Sequence, residues 1–508
     1  ELDQEKLAGE SKTWVNKRLQ YTHGYGVAMS PVNEVTGEGL PAYFISNIPP
    51  RAAGDIELSR PQIYYGELTD DYVIVNTLTE EFDYPMGNTN AYTTYTGTGG
   101  VPLGGFFRRL LFTLKLGDYQ ILLSRDLNKE SRVMFDRNIF LRTEKIAPFL
   151  SMDGDPYMVV HDGGLYWIRD AYTTSNNFPY SESFNGINYM RNAVKIVIDA
   201  YNGTVDFYVA DPDDPIINTY AAIFPGLFKP LEEMPAALKA HLRYPETYFL
   251  VQATVLNTYH MQDARVFHTR EDQWQFPTEQ YFGRNQAMEP YYTILNLQEE
   301  EGEEFVLMLP LTPNERNNMI AWLAARMDGD HYGELLLYNF PKERTIWGPQ
   351  QIESRIDQNS DISQQMSLWG QRGSNIIRGN LLVIPIEESI LYIEPLYLQA
   401  EQSKISELIR VIIAYGDRVV MAETLEQGLE QIFGAGGPAE PAEPGEPGEP
   451  GEPGEPALPG KNEAYLREII RRAGELFAAA REKLREGDWS EYGRLLEELE
   501  RILEQGLN

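Results

Sequence analysis

Between residues 435 and 460 the chain is built of little but Pro, Glu, Gly and Ala, with four consecutive Gly-Glu-Pro triplets from Gly445 to Pro456. Such a segment has nothing to bury and cannot belong to a core. Whatever folds must lie on one side of it or the other. Glycine at every third position has the period of collagen, but four triplets are too few to hold a triple helix alone. The composition reads instead as an extended polyproline-II strut. It divides the chain into an N-terminal body (1–434), the linker itself (435–460) and a C-terminal piece (461–508).

The body is long enough, at roughly 150 residues per domain, for more than one apolar core. A first domain is expected over 1–230 and a second over 231–434. The β signal is strongest between Tyr157 and Val209. Val194 to Ala200 and Thr204 to Ala210 are β-branched or aromatic runs flanking Tyr201-Asn202-Gly203. Asn-Gly between two such runs predicts a hairpin, because both residues tolerate the positive φ of its turn. Tyr157 to Val160 and Leu165 to Ile168 bracket Asp162-Gly163-Gly164 as a second hairpin. Short strands are also expected at Phe305 to Leu309, Glu334 to Tyr338, Leu381 to Ile384, Ile390 to Glu394 and Arg410 to Tyr415, with two more around a turn between Tyr64 and Thr77. A helix is predicted over Phe106 to Leu116, where Phe106, Phe107, Leu110, Leu111 and Leu114 recur at helical spacing with Arg108 and Arg109 between them. Others are expected within Gln4 to Gln20, among the prolines of Pro212 to Pro245, and over Asn314 to Arg326. Strands and helices do not alternate regularly, so the expected class is α+β with mixed or antiparallel sheets rather than a doubly wound fold.

Beyond the strut, Asn462 to Glu486 and Ser490 to Gln505 read as two helices joined at Gly487-Asp488, with Asp488 and Glu491 spaced as a capping box. Leu466, Ile469, Ile470, Ala473, Leu476, Phe477 and Leu484 make one apolar stripe. Tyr492, Leu495, Leu496, Leu499, Ile502 and Leu503 make the other. Two bare helices are too small to stand alone. The pair needs a surface to dock on, either its own body or a neighbouring copy reached along the strut, and its stripes are the candidate assembly face.

Forty-three Lys and Arg against 76 Asp and Glu leave a net charge of −33. So acidic a chain repels polyphosphate and anionic lipid as a whole, which argues against nucleic-acid and membrane-surface roles. With no cysteine there are no disulfides, thiolate zinc sites or cysteine nucleophiles. The six histidines show no metal-binding spacing, and no nucleophile elbow or Walker loop occurs. Gly97-Thr98-Gly99-Gly100 comes nearest to a phosphate cradle, but its spacing is wrong and it reads as a flexible loop. Asp153-Gly154-Asp155 with Asp162, and Asp211-Pro212-Asp213-Asp214, have a composition suited to calcium without the twelve-residue EF-hand frame. Turn formation and N-capping explain them, and no cofactor is expected. His268 to Trp274, with Glu271 and Asp272, reads as a salt-bridged loop, and Glu299 to Glu304 as a solvated hairpin tip. The 31 tyrosines cluster at Tyr92-Thr93-Thr94-Tyr95 and Tyr291-Tyr292, which suits protein or sugar contacts and equally the faces of sheets.

Longer stretches are more specific. They include Trp14-Val15-Asn16 with Tyr21-Thr22-His23-Gly24-Tyr25-Gly26, Ser30-Pro31-Val32-Asn33-Glu34-Val35, Asp170-Ala171-Tyr172-Thr173-Thr174 and Asp199-Ala200-Tyr201-Asn202-Gly203-Thr204. Phe224-Pro225-Gly226-Leu227-Phe228, Arg378-Gly379-Asn380 and Tyr392-Ile393-Glu394-Pro395-Leu396-Tyr397 continue the series. Over nearly all of residues 1–434 the chain resembles the large extracytoplasmic part of uncharacterised protein family 0182, bacterial multi-pass membrane proteins. The linker, with Gly487-Asp488-Trp489 and Tyr492-Gly493, looks like that family's tail. The resemblance implies an extracellular or cell-surface location and a preceding membrane-spanning region, and brings no catalytic residues with it. The start, Glu-Leu-Asp-Gln, has neither Met nor a signal peptide, and release from a membrane-anchored precursor is expected. The functional expectation is a non-enzymatic extracellular structural protein. It would self-assemble as a homo-oligomer or polymer, a filament or tube, through a heterologous contact of its C-terminal arm. The alternative is a monomeric extracytoplasmic binding or transport-accessory domain, and a hydrolase using Glu271 and Asp272 comes third. The sequence names no ligand.

Overall fold

In the computed structural model, which describes residues 9 and 12–434 except 55, 298–301, 342–344, 371–373, 387–388 and 401–404, the chain opens on a π-helical turn, Asn16–Gln20. Its Leu19 joins Leu103, Ile121, Leu127 and Val133 in a small core. This core is shared by a three-stranded sheet, β1 (Val73–Val75), β2 (Val101–Pro102) and β3 (Arg132–Met134), in the order β1-β3-β2. Helices α1 (Phe106–Leu116) and α2 (Gln120–Leu123) lie between β2 and β3, α1 at the residues expected for it. Only one of the two strands expected between Tyr64 and Thr77 forms. The amides of Tyr64 and Tyr65 donate instead to the Ala200 carbonyl, both at 2.9 Å. A Cβ at Gly203, which holds φ at +71°, would lie 2.4 Å from the Tyr65 ring, so this turn admits glycine alone.

The first large sheet follows α3 (Ile139–Ile146), whose N-terminal amides at Phe140 and Leu141 donate to the Asn138 side chain. Strands β4 (Ser151–Met152), β5 (Tyr157–His161), β6 (Gly164–Ser175), β7 (Tyr189–Asp199) and β8 (Val205–Val209) pair antiparallel, β5-β6 and β7-β8 being the two expected hairpins. After α4 (Pro215–Ile223), with Asp214 as cap and Pro215 at its first turn, β9 (Phe228–Pro230) returns parallel to β8. That single parallel pair makes the sheet mixed, in the order β9-β8-β7-β6-β4.

The connecting region holds α5 (Ala236–Lys239), α6 (Glu246–Tyr259) and α7 (Ala264–Thr269). A second sheet contains β10 (Trp274–Gln275), β11 (Tyr291–Asn296), β12 (Glu303–Pro313), β13 (Ala321–Arg326) and β14 (Leu335–Asn339). It runs β10-β12-β13-β14, with β11 also on β12. The helix expected over Asn314 to Arg326 is not there. Residues 314–319 turn, and β13 is a strand whose six residues are all buried. Leu307, Leu309, Leu311, Ala321, Leu323 and Ala325 face the main core, while Val306, Met308, Trp322 and Ala324 face another. Burial on both faces erases the alternation that marks a half-exposed strand, and Ala-rich composition then mimics a helix.

Helices α8 (Pro349–Gln358) and α9 (Ser360–Trp369) precede the third sheet, β15 (Ser374–Arg378), β16 (Leu382–Ile386), β17 (Ser389–Ala400), β18 (Ser406–Tyr415) and β19 (Arg418–Ala422), which α10 (Leu425–Phe433) closes. The main core joins this sheet and the second through Ile352, Val383, Tyr392 and Ile412, with Phe249 of α6. The early chain reaches it as well, the Leu408 amide donating to the Gly39 carbonyl at 3.0 Å. The fold is α+β with mixed and antiparallel sheets. Among the described residues no helix is long and apolar enough to cross a membrane. The candidate assembly face, Leu466 to Ile502, lies outside the described residues.

Candidate functional site

The sharpest concentration of chemistry is a small cleft at the N-terminus of α6, with a volume of about 100 Å3. Asp153 and Asp155 reach it from the turn after β4, Tyr157 from β5, Asp170 from β6, Arg243 and Glu246 from the start of α6, and Tyr292 from β11. At its base, Asp170 and Lys195 stand directly opposite each other on β6 and β7 and form a buried ion pair. The Asn192 amide donates to the same carboxylate oxygen at 2.9 Å. The Lys195 ammonium also donates to the Arg243 carbonyl at 3.0 Å, as the Tyr332 hydroxyl does at 3.0 Å. The buried pair therefore fixes the backbone from which Arg243 projects.

The Arg243 guanidinium lies over two rings, 3.8 Å from the Tyr157 centroid and 5.2 Å from that of Tyr292. Its ionic partner is Asp155, at 3.6 Å, and its Nε is buried with no hydrogen-bond partner. A quarter-exposed guanidinium fixed by stacking, with its tip beside the Asp155 carboxylate, suits a planar acceptor or a hydroxyl. Burial and the nearby Asp155 charge push the Glu246 carboxyl up from its ordinary range. Burial pushes the Tyr157 and Tyr292 hydroxyls up as well, keeping both neutral. Asp153 is committed to structure, accepting from the Tyr172 hydroxyl and, at 2.8 Å, from the Asp155 amide. A larger groove of about 260 Å3 lies along the next turns of α6, between Tyr248, Val251 and Val255 and the segment Ser181 to Met190.

The other residues suggested by sequence are dispersed or occupied. The amides of Thr98 and Gly99 donate to Asn202 and to the Tyr95 hydroxyl, and Arg132 holds the carbonyls of 98–100. The glycine loop is thus pinned rather than flexible, and the amides of Thr98 and Gly99 are already committed within the protein. Asp214 caps α4 and accepts from Thr173 and Tyr189. Among the described residues no group of three His, Asp or Glu side chains could hold a metal ion. Glu271 is exposed beyond α7, whereas Trp274, three residues on, is buried and stacked on His260 at 3.5 Å. Glu304, expected at a solvated tip, is buried and held by Arg326 through bonds of 2.7–3.0 Å. Arg243 and Glu246 were hidden in a proline-rich passage, where Pro245-Glu246 was the one visible helix-start signal.

One further histidine is embedded deeply. His23 lies 3.1 Å from both Thr22 Oγ1 and Asp83 Oδ1 and 3.8 Å from Glu81, with its ring 4.8 Å from that of Tyr64. Burial alone would lower its pKa, but the bonds to Asp83 and Glu81 outweigh it and the result is raised.

These features define an α+β body with three large sheets that carry buried ion pairs and, at the start of α6, a polar cleft flanked by tyrosines. The chain belongs to the uncharacterised protein family UPF0182, whose profile matches residues 1–369. It is 51% identical over 504 residues to a UPF0182 protein of Pelotomaculum thermopropionicum, covering 99% of this chain and 54% of that one. It is 53% identical over 506 residues to one of Desulforamulus reducens (99% and 54%) and 54% identical over 512 residues to one of Alkaliphilus metalliredigens (99% and 55%). The chain spans about half the length of these relatives. No solved structure matches it.

Proposed function

We propose that residues 1–434 act as a non-catalytic, extracytoplasmic binding module of a longer bacterial protein, with the Arg243 cleft as its recognition site. The ligand it fits is hydroxyl-rich, such as the exposed edge of an envelope glycan. What carries this reading is the Arg243 guanidinium, which is stacked on Tyr157, keeps a buried Nε without a hydrogen-bond partner and has its tip at the cleft, 3.6 Å from Asp155. Sugar hydroxyls accept from such a group and donate to carboxylates like Asp155 and Glu246, while tyrosine rings supply contact area for C–H faces. A cleft of about 100 Å3 holds about three waters at roughly 30 Å3 each, so the ligand enters by an edge. Calorimetric titration of the full chain with chitin-derived and peptidoglycan-derived oligosaccharides tests this. A saturable heat that weakens at least tenfold in Arg243→Met is expected. No heat with any of these sugars, or equal heat in the variant, refutes it.

A second reading, self-assembly into a filament through the C-terminal arm, is favoured by the two apolar stripes, Leu466 to Leu484 and Tyr492 to Leu503. Removing residues 435–508 would then abolish polymers seen by electron microscopy. Under the binding reading, the same truncation leaves sugar affinity unchanged.

A further inference from the structure

Helix α1 turns its most apolar arc away from the body. None of its eleven residues is buried. Phe106, Phe107, Leu111 and Leu114 are 64, 79, 64 and 72% exposed. At about 100° per residue these four occupy an arc of roughly 140°, bordered along one edge by Arg108 and Lys115. The opposite arc carries Phe112 and Leu116, which pack on the small core, and Arg109, which donates to the Leu127 and Asn128 carbonyls. The orientation is therefore set by packing on the inner side. Tyr119 and Leu123, one helical turn apart just beyond α1, are 66 and 68% exposed. Residues 105–135 carry six Lys or Arg and three Asp or Glu, in a chain of net charge −33.

We propose that this face contacts a membrane surface, with α1 lying parallel to an anionic bilayer. Phe106, Phe107, Leu111 and Leu114 enter the boundary between headgroups and acyl chains, and Arg108 and Lys115 pair with lipid phosphates. Charge complementarity selects this occupant. A second copy meeting this face brings the same basic rim, which repels at contact range, whereas an anionic leaflet offers the charge that the rim lacks. Helices with a Phe/Leu face and a cationic border bind such surfaces, and Lys and Arg reach the phosphates from an apolar footing. The net charge that excludes lipid for the chain as a whole does not decide the matter here. Screening confines fields to roughly 8 Å at physiological salt, so the leaflet senses mainly the local patch, and the acidic remainder orients the body away from it.

Co-sedimentation of the full chain with vesicles of equal parts phosphatidylglycerol and phosphatidylcholine tests the proposal, with pure phosphatidylcholine vesicles as the comparison. Sedimentation with the anionic vesicles is expected, at least tenfold weaker in Phe107→Ser/Leu111→Ser and weakened severalfold in Arg108→Gln/Lys115→Gln and at 0.5 M salt. All four side chains are exposed, so a melting curve matching wild type is the control for folding. Binding that survives both double substitutions overturns the proposal. So does a wild-type chain that ignores vesicles but forms dimers in light scattering, with Phe107→Ser/Leu111→Ser becoming monomeric, which assigns the face to a second copy.

Discussion

Replacing Lys195 by Met removes one half of a buried ion pair at the base of the cleft, and the structure sets the scale of the loss. The Lys195 side chain has no exposure and that of Asp170 has 5%, so neither water nor salt substitutes for the missing partner. Asp170 would keep one donor, the Asn192 amide at 2.9 Å, for a full negative charge in an apolar sheet. Breaking such a pair from one side costs about 3–5 kcal/mol, because the remaining charge stays desolvated. Removing both charges, as in Asp170→Leu/Lys195→Met, leaves no orphan charge, only the half-buried Asn192 amide without its acceptor, and should return stability to within about 1 kcal/mol of wild type. Urea unfolding followed by near-ultraviolet circular dichroism, run on wild type, both single variants and the double variant, closes the cycle. A coupling energy below about 0.5 kcal/mol, with the double variant as unstable as the sum of the singles, would refute the account. The same variants bear on the cleft, since Lys195 also holds the carbonyl of Arg243.

Two other perturbations follow from the geometry. The pKa of His23 is raised above 6.5 in the folded state by Asp83 and Glu81 against the pull of burial; its contribution is complete below the unfolded value and fades as pH rises through the folded one. Unfolding midpoints should therefore fall as pH climbs above about 6.5, and His23→Gln should flatten that slope; an unchanged slope contradicts the assignment. Gly203→Ala should cost about 2–4 kcal/mol in urea midpoint measurements, since it strains a φ of +71° and drives a methyl to 2.4 Å from the Tyr65 ring; a loss under about 0.5 kcal/mol would mean that the turn relaxes freely.

What the sequence revealed depended on whether a signal was local. The hairpin at Asn202-Gly203 and helix α1 were legible because turn chemistry and a 3.6-residue period act within a dozen residues. The strand β13 and the helix α6 were not. The first is buried on both faces and lost its period, and the second is rich in β-branched and aromatic residues, such as Thr247, Tyr248, Val251 and Thr254, whose local preference is overridden by the burial of Phe249 and Ala253. The cleft was half legible, since Asp153, Asp155, Asp170 and Tyr292 stand in stretches distinctive for their clustered aspartates, tyrosines or family-like motif. Nothing local says that they converge on Arg243, which arrives from 73 residues beyond Asp170 by way of a proline-rich connection.

Each large sheet carries a buried cation bonded to a carboxylate on the neighbouring strand, and the positions of these pairs matter more than their strength. Asp170 faces Lys195 across β6 and β7. Arg326 on β13 pairs with Val306, two residues from the Glu304 it grips on β12. Arg378 on β15 pairs with Leu396, again two residues from Glu394 on β17, and also binds Glu353 and Asp357. Three carboxylates around one guanidinium leave surplus negative charge, and burial pushes Glu394 up to about 7. Such pairs add little net stability against apolar replacements of equal volume. A strand slipped by one residue, however, would bury each charge unpaired and turn its whole apolar set to the wrong face. We infer that they act as register pins in strands too uniformly apolar to set register by alternation, β12 and β13 above all. Glu304→Leu/Arg326→Met should then keep the urea midpoint within about 1 kcal/mol of wild type while amide hydrogen exchange in β12 and β13 quickens by an order of magnitude or more. A double variant that exchanges as slowly as wild type would show that packing alone holds the register.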